Sequence, residues 1–291
     1  MIALFRADWL RLRQRRDLWL VIAAVAILAI LSYSSGLANA SASAEISPDI
    51  SPEARNVQET FIEPYAYPQS VITVLAGGQV WVLMMLAYLT AATIGAEFSY
   101  GTIRTTLTVR SDRRAFLAVR WAALALVATV MLAVLIVVGA AAPGVIAAVL
   151  GASLPESPPI MLLGLIGLLG ALALFGSIVI GVTVIGALIV RNAAMALLIT
   201  IGYSLLESAV AGFAERGGPA MAAAVRLLPI SDAALLIQRA QRAAGIVRLP
   251  GAPETTAAGP PTALAVAVGI GWLIALIWVS LELFQRADIT E

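Results

Sequence analysis

Glu97–Arg120 reads EFSYGTIRTTLTVRSDRRAFLAVR, and its place between two long apolar runs decides the fold. Arg104, Arg110, Arg113, Arg114 and Arg120 stand there against only Glu97 and Asp112. Short loops dense in Arg stay on the cytoplasmic side of a membrane, so this stretch is an inward-facing hinge. It is too long for a minimal turn. Gly101 permits a bend, and Thr102–Val109 supplies a short helix with Ile103 and Leu107 on one side. Ser111–Asp112 suits the cap of the next span, with acid at the positive end of its dipole. A helix pair that takes force from a soluble motor needs a rigid extension, a short transverse segment and charge to fix register. Residues 97–114 are therefore read as a coupling hinge, a docking surface for a soluble partner.

Composition agrees with a membrane location. Of 291 residues, 61% are hydrophobic and 12% charged, whereas soluble domains run nearer a quarter charged. Several windows pass the roughly 20 apolar residues that cross a bilayer core. The spacing predicts six spans, at about 18–38, 70–96, 115–141, 159–190, 192–213 and 262–284, in a single all-α permease-like domain covering 1–291. Ahead of them, residues 1–16 place Ile2, Phe5, Trp9 and Leu12 at helical spacing among arginines, which suits an amphipathic helix in the headgroup plane. The same flank, with Ala38-Asn39-Ala40 beyond it, also resembles a signal peptide with its cleavage site. With both termini inside, the inner side holds twelve Arg and the outer side six, as the positive-inside rule asks. Arg191 and Asn192 make a tight inner turn between the fourth and fifth spans.

The missing residue types exclude much chemistry. There is no Cys and no His, and all eighteen basic residues are Arg. Without Lys there is no Walker A loop, so this chain does not hydrolyse ATP itself. Without His or Cys there is no zinc-protease site and no Ser–His or Cys–His nucleophile pair. Asp8, Asp17, Asp49, Asp112, Asp232 and Asp288 all fall outside the predicted spans, which removes an intramembrane aspartyl dyad. No catalytic, metal or cofactor site is expected, and nothing suggests nucleic acid.

The outer loop 214–261 is arginine-rich. Ser231–Asp232 could cap a helix from Ala233 to Ala244, too short to span, that lies on the outer leaflet or dips into it. Within the fifth span, Glu207 is a functional candidate by default; the competing reading is an interfacial carboxylate paired with Arg216 or Arg226. Glu282 is expected to pair with Arg286 at i, i+4. Six glycines in the fourth span, from Gly164 to Gly186, signal close helix packing.

Glu97, Gly101-Thr102, Leu107, Ser111, Arg113/Arg114, Phe116 and Arg120 together resemble the ABC-2 family of ATP-binding-cassette transporter permeases. Phe284 and Arg286-Ala287-Asp288 resemble that family's tail. The likeness covers the six-span layout but is specific over only about twenty-five residues, and two positions depart from it. Val109-Arg110 stand where a proline is common, and Arg120 stands where Lys is expected. The resemblance implies two six-helix halves, as a homodimer or with a related permease, each seated on a separate ATPase subunit that binds ATP and Mg. Coupling would fall to Glu97, Gly101, Thr102, Arg104, Leu107, Arg110, Arg113 and Arg114. The second and fifth spans would line the substrate path with Gln79, Trp81, Met84, Met85, Tyr88, Tyr203 and Glu207. A wide apolar path with Trp, Met and Tyr suits an amphipathic drug, lipid or peptide, and its export across a bacterial plasma membrane is expected. A secondary transporter usually carries several ionisable groups at mid-membrane and often an internal repeat, and neither is visible in the sequence. A membrane anchor that recruits a soluble partner is the remaining alternative.

Overall fold

A computed structural model describes residues 2–45, 63–101, 103, 112–150, 162–244 and 261–286. Among the described residues every regular element is helical. Helix α1 is Ile2–Gln14 and α2 is Arg16–Glu45. Helix α3 is Gln69–Thr90, continued through a π-turn at Ala91–Gly95 into Ala96–Ser99. Then follow α4, Arg113–Leu150, α5, Leu162–Val190, and α6, Ala193–Arg216. Two short helices, α7, Pro219–Val225, and α8, Pro229–Ala243, precede α9, Thr262–Arg286. Six of them, α2 to α6 and α9, are long and apolar enough to cross a bilayer. The chain is a multi-pass membrane protein, with spans close to those predicted.

One span is longer than its sequence suggests. The third was ended near Ala141, just ahead of Pro143, yet α4 runs through that proline to Leu150. A proline inside a helix removes one donor and crowds one carbonyl, and membrane helices tolerate this where neighbours satisfy the backbone.

Two helices organise the bundle. Helix α3 packs mainly on α4 and α2, while α5 packs mainly on α8, α9 and α6. Leu75, Leu86 and Leu89 of α3 meet Leu124, Met131 and Leu135 of α4 in one core, which continues into Ile180 and Val184 of α5. Close approach is possible where a side chain is missing. A Cβ on Gly139 would stand 2.6 Å from Val71 Cα, and Ser70 Oγ donates to the Gly139 carbonyl at 2.7 Å across the same contact. Helices α6 and α9 instead present Leu198, Leu205, Phe213, Ile274 and Trp278 outward, faces suited to lipid.

The segment between the fifth and sixth spans folds back into the bundle. Trp272 Nε1 donates to the Leu227 carbonyl at 2.8 Å. Trp272 lies ten residues into α9, roughly 15 Å along its axis at about 1.5 Å per residue. From there α8 climbs antiparallel to α5: a Cβ on Gly269 would meet both Leu174 and Asp232, and further out Gly164 lies against the backbone of Ala243 and Ala244. Helices α7 and α8 thus form a re-entrant hairpin with its tip at about half depth. Backbone at that depth is tolerated only when protein surrounds it, and Leu235, Leu236 and Ile237 supply the buried face.

Candidate functional site

At the end of the bundle from which the hinge leaves, three charged side chains from distant parts of the chain meet. Arg120 of α4 pairs with Glu97 of α3, and its Nε lies 3.7 Å from Asp8 Oδ2 on α1. Arg120 is 4% exposed and Asp8 fully buried. The guanidinium also lies over the Phe116 ring, 5.4 Å from its centroid, a cation–π contact. Phe116 stacks on Phe284 at 5.8 Å, and Phe98 meets Phe284 edge-on at 6.4 Å. Phe284 belongs to α9, so α1, α3, α4 and α9 converge here. A pocket of about 260 Å³ opens beside the cluster, lined by Arg11, Arg15, Glu97, Tyr100 and Arg120.

Local sequence explains the geometry. Thr90 and Thr93 turn their hydroxyls back onto the carbonyls of Leu86 and Leu89, at 2.7 and 2.8 Å. Such back-bonding bends helices, and the π-turn that follows rotates the last turn of α3. Gly95 then touches the start of α6, where a Cβ would stand 2.6 Å from Ala193 Cα. Ser99 Oγ reaches the Arg191 carbonyl at 3.3 Å, and Asn192 caps α6 by accepting from Met195 N at 3.1 Å.

The expected coupling residues divide into two groups. Thr102, Arg104, Leu107 and Arg110 lie outside the described residues, as does Ser111. Gly101 takes φ +65°, a left-handed turn that glycine adopts without strain. Asp112 caps α4, accepting from Ala115 N at 3.0 Å. Arg113 and Arg114 are engaged within the fold: Arg113 Nη1 donates to the Gln285 carbonyl at 3.1 Å, and Arg114 Nη2 to Gln285 Oε1 at 3.2 Å. Cations on the last carbonyls of a helix complete its C-terminus. These two arginines therefore tie the start of α4 to the end of α9.

A cavity of about 290 Å³ lies at mid-depth between α3, α5, α6 and the hairpin tip. Gln79 and Met84 line it together with Phe175, Thr200, Ser204 and Ile230. The other expected path residues point elsewhere. Trp81 turns to the first span, where its Nε1 donates to Ser32 Oγ at 3.0 Å. Met85 packs against the core, and Tyr88 is exposed on the flank of α3. Thr200, Ser204 and Ser208 were not singled out, although their spacing of four places them on one row of α6. Thr200 also donates to Thr183 Oγ1 on α5 at 3.0 Å.

Glu207 faces the hairpin. It is 3% exposed, and Oε1 accepts from Ser231 N at 2.6 Å, with Tyr203 one turn earlier interacting with the same carboxylate. The expected ion pair with Arg216 or Arg226 is replaced by a bond to backbone. Ser231–Asp232 do not cap their helix either. Helix α8 starts at Pro229, its N-cap Leu228 offers no side-chain acceptor, and the carboxylate of α6 accepts from the first turn instead. Asp232 is fully buried, and among the described residues neither of its carboxylate oxygens has a hydrogen-bond partner. Burial pushes this carboxyl up to about 6, with Arg239 pulling the other way. Asp232 lies outside the spans, as expected, but its depth beside Leu174 and Gly269 was not foreseen.

At the C-terminal end of α9 the predicted pair forms, with Arg286 Nη2 2.6 Å from Glu282 Oε1. The chain matched no protein-family model, no curated protein and no solved structure, so a functional reading rests on the geometry above.

Proposed function

We propose that this chain is the membrane-embedded permease subunit of an ATP-binding-cassette exporter, resembling the ABC-2 type and driven by a separate ATPase subunit docked on the hinge 97–114. The observation that carries the reading is the buried Asp8–Arg120–Glu97 cluster. It joins α1, the inner end of α3 and the start of α4 at the point where the hinge leaves the bundle. A push on the hinge would move those elements together, and the π-turn beside the cluster offers a local change of register, a feature frequent at functional sites. The mid-depth cavity between α3 and α6, walled by Gln79, Met84 and Ser204, supplies the substrate path, open to a second copy or a related permease across the exposed face of α6. An amphipathic drug, lipid or peptide suits its apolar wall with a few polar groups. In this reading α1 lies in the headgroup plane and both termini are cytoplasmic, at a bacterial plasma membrane.

Co-expression with a candidate ATP-binding-cassette ATPase subunit tests the proposal. The two should co-purify and hydrolyse ATP, and Arg104→Glu should lower that hydrolysis while insertion is unchanged. Failure of the chain to bind any P-loop subunit, or labelling of a Thr105→Cys variant by an impermeant reagent from outside intact cells, would overturn it. Arg113→Glu is a poorer probe, because Arg113 holds the end of α9.

One observation favours a second reading, secondary transport. Glu207 and Asp232 are carboxylates buried at depth, the kind of group that proton-coupled carriers use. Uptake into proteoliposomes driven by a pH gradient, with no ATPase present, would select it.

A further inference from the structure

We propose that the groove between α5, α8 and α9 is a binding site for an anionic glycerophospholipid, one acyl chain lying along the groove and the phosphate on Arg239. The groove encloses about 600 Å³ and is walled mainly by carbon. Along α5 it extends from Leu163 to Leu174, eleven residues, or roughly 16 Å at about 1.5 Å per residue. Half of a bilayer core of about 30 Å is nearly the same length, so the groove holds the chain of one leaflet and ends at mid-depth. It is distinct from the cavity lined by Gln79 and Ser204, which lies on the other side of α5 and of the hairpin tip.

Three further observations specify the occupant. The groove exists because side chains are missing: a Cβ on Gly170 would meet nothing within 4 Å, and one on Gly167 would meet only Ala240 Cβ, at 3.7 Å. Its rim is exposed to the bilayer, with Leu163 85% and Ile270 47% accessible. Its outer end carries a cation. Arg239 lines the groove and donates to Thr262 Oγ1 at 3.3 Å, and among the described residues it has no salt-bridge partner. A guanidinium has five donors, and its planar fork matches phosphate. An apolar slot one leaflet deep with a half-buried guanidinium at its mouth complements a lipid that is anionic at the phosphate level.

The test uses the full chain in nanodiscs that contain phosphatidylcholine with a trace of phosphatidylglycerol carrying a diazirine on its acyl chain. The control is phosphatidylcholine with the same diazirine. After illumination, labelled peptides are mapped. The phosphatidylglycerol probe should mark residues 163–174 and 262–270 about fivefold more than the control, as one basic side chain at a membrane surface gives. Arg239→Gln should bring the two probes to parity. Gly170→Phe, whose ring has room to enter the groove, should depress labelling by both. Equal labelling in the wild type, unchanged by Gly170→Phe, would overturn the proposal. The Cys-free chain adds a direct check through Gly170→Cys. Disulfide-linked dimers of that variant would assign the groove to a second copy, and a crosslink in Gly170→Cys/Thr255→Cys would assign it to the chain's own outer loop; either overturns the lipid assignment.

Discussion

The hinge end and the hairpin end of this protein bury acidic groups in opposite ways. At the hinge end, Asp8 and Glu97 share one guanidinium, that of Arg120. At the hairpin, Glu207 leans on a backbone N–H, and Asp232 finds no hydrogen-bond partner among the described residues. The shared cation ties together the three helices that carry these charges. Neither hairpin acid forms a salt bridge among the described residues. The difference separates a cluster cross-linked by one cation from two acids that lack such a link.

The contrast can be broken most severely at Arg120. Arg120→Met leaves two acids buried without their cation, and removing one partner of a buried ion pair costs about 3–5 kcal/mol. Thermal unfolding in nanodiscs should show this loss, and the triple variant Asp8→Asn/Glu97→Gln/Arg120→Met should recover most of it. If the single variant is as stable as the wild type, the cluster is not a joint.

Asp232 comes next, with an effect that depends on pH. Its folded pKa, about 6, lies above the ordinary carboxylate value. Its contribution to stability is then full below about pH 4 and is lost as pH rises through about 6. Asp232→Asn should therefore be more stable than the wild type at about pH 8 by ~1–3 kcal/mol, the usual cost of a buried polar group left unsatisfied. At about pH 4 the two should unfold alike.

Glu207 should matter less. Glu207→Ala removes the acceptor at the start of α8, where a lost cap costs ~1–2 kcal/mol, while Glu207→Gln keeps an acceptor and should cost less. Hydrogen exchange at the Ser231 amide reads the change directly, and unaltered protection in the alanine variant would remove Glu207 from the hairpin. The smallest effect belongs to Glu282–Arg286, an ion pair whose side chains are 36% and 77% exposed. Glu282→Gln should change stability by only ~0.3–0.5 kcal/mol, showing that burial rather than pairing gives the Arg120 cluster its strength.

Much of this was open to reading in the primary structure, and the exceptions share a cause. Gly101 and Asp112 take the local roles expected of them, because a bend and a cap depend on a few neighbouring residues. Arg113 and Arg114 looked like free docking charge, yet Gln285 occupies them from the far end of the chain. Trp81 looked like a path residue because it shares α3 with Gln79. Two positions along a helix turn a side chain by roughly 200° at about 3.6 residues per turn, and that puts Trp81 against Ser32 on another span. Thr200, Ser204 and Ser208 formed a visible polar row, but only the placement of α3 and α5 gives that row a cavity to face.

Sequence alone determined the six crossings and the inward side proposed for the arginine hinge. A bilayer requires each span to satisfy its own backbone and penalises charge along its length, so local composition carries that information. Tertiary structure alone decided that Asp8 is a core residue, that the hairpin of α7 and α8 packs beside the middle of α9, and that Asp232 lies buried there. The energy of a buried charge depends on what stands opposite it, and Asp8, Glu97 and Glu207 each meet a group carried by another helix.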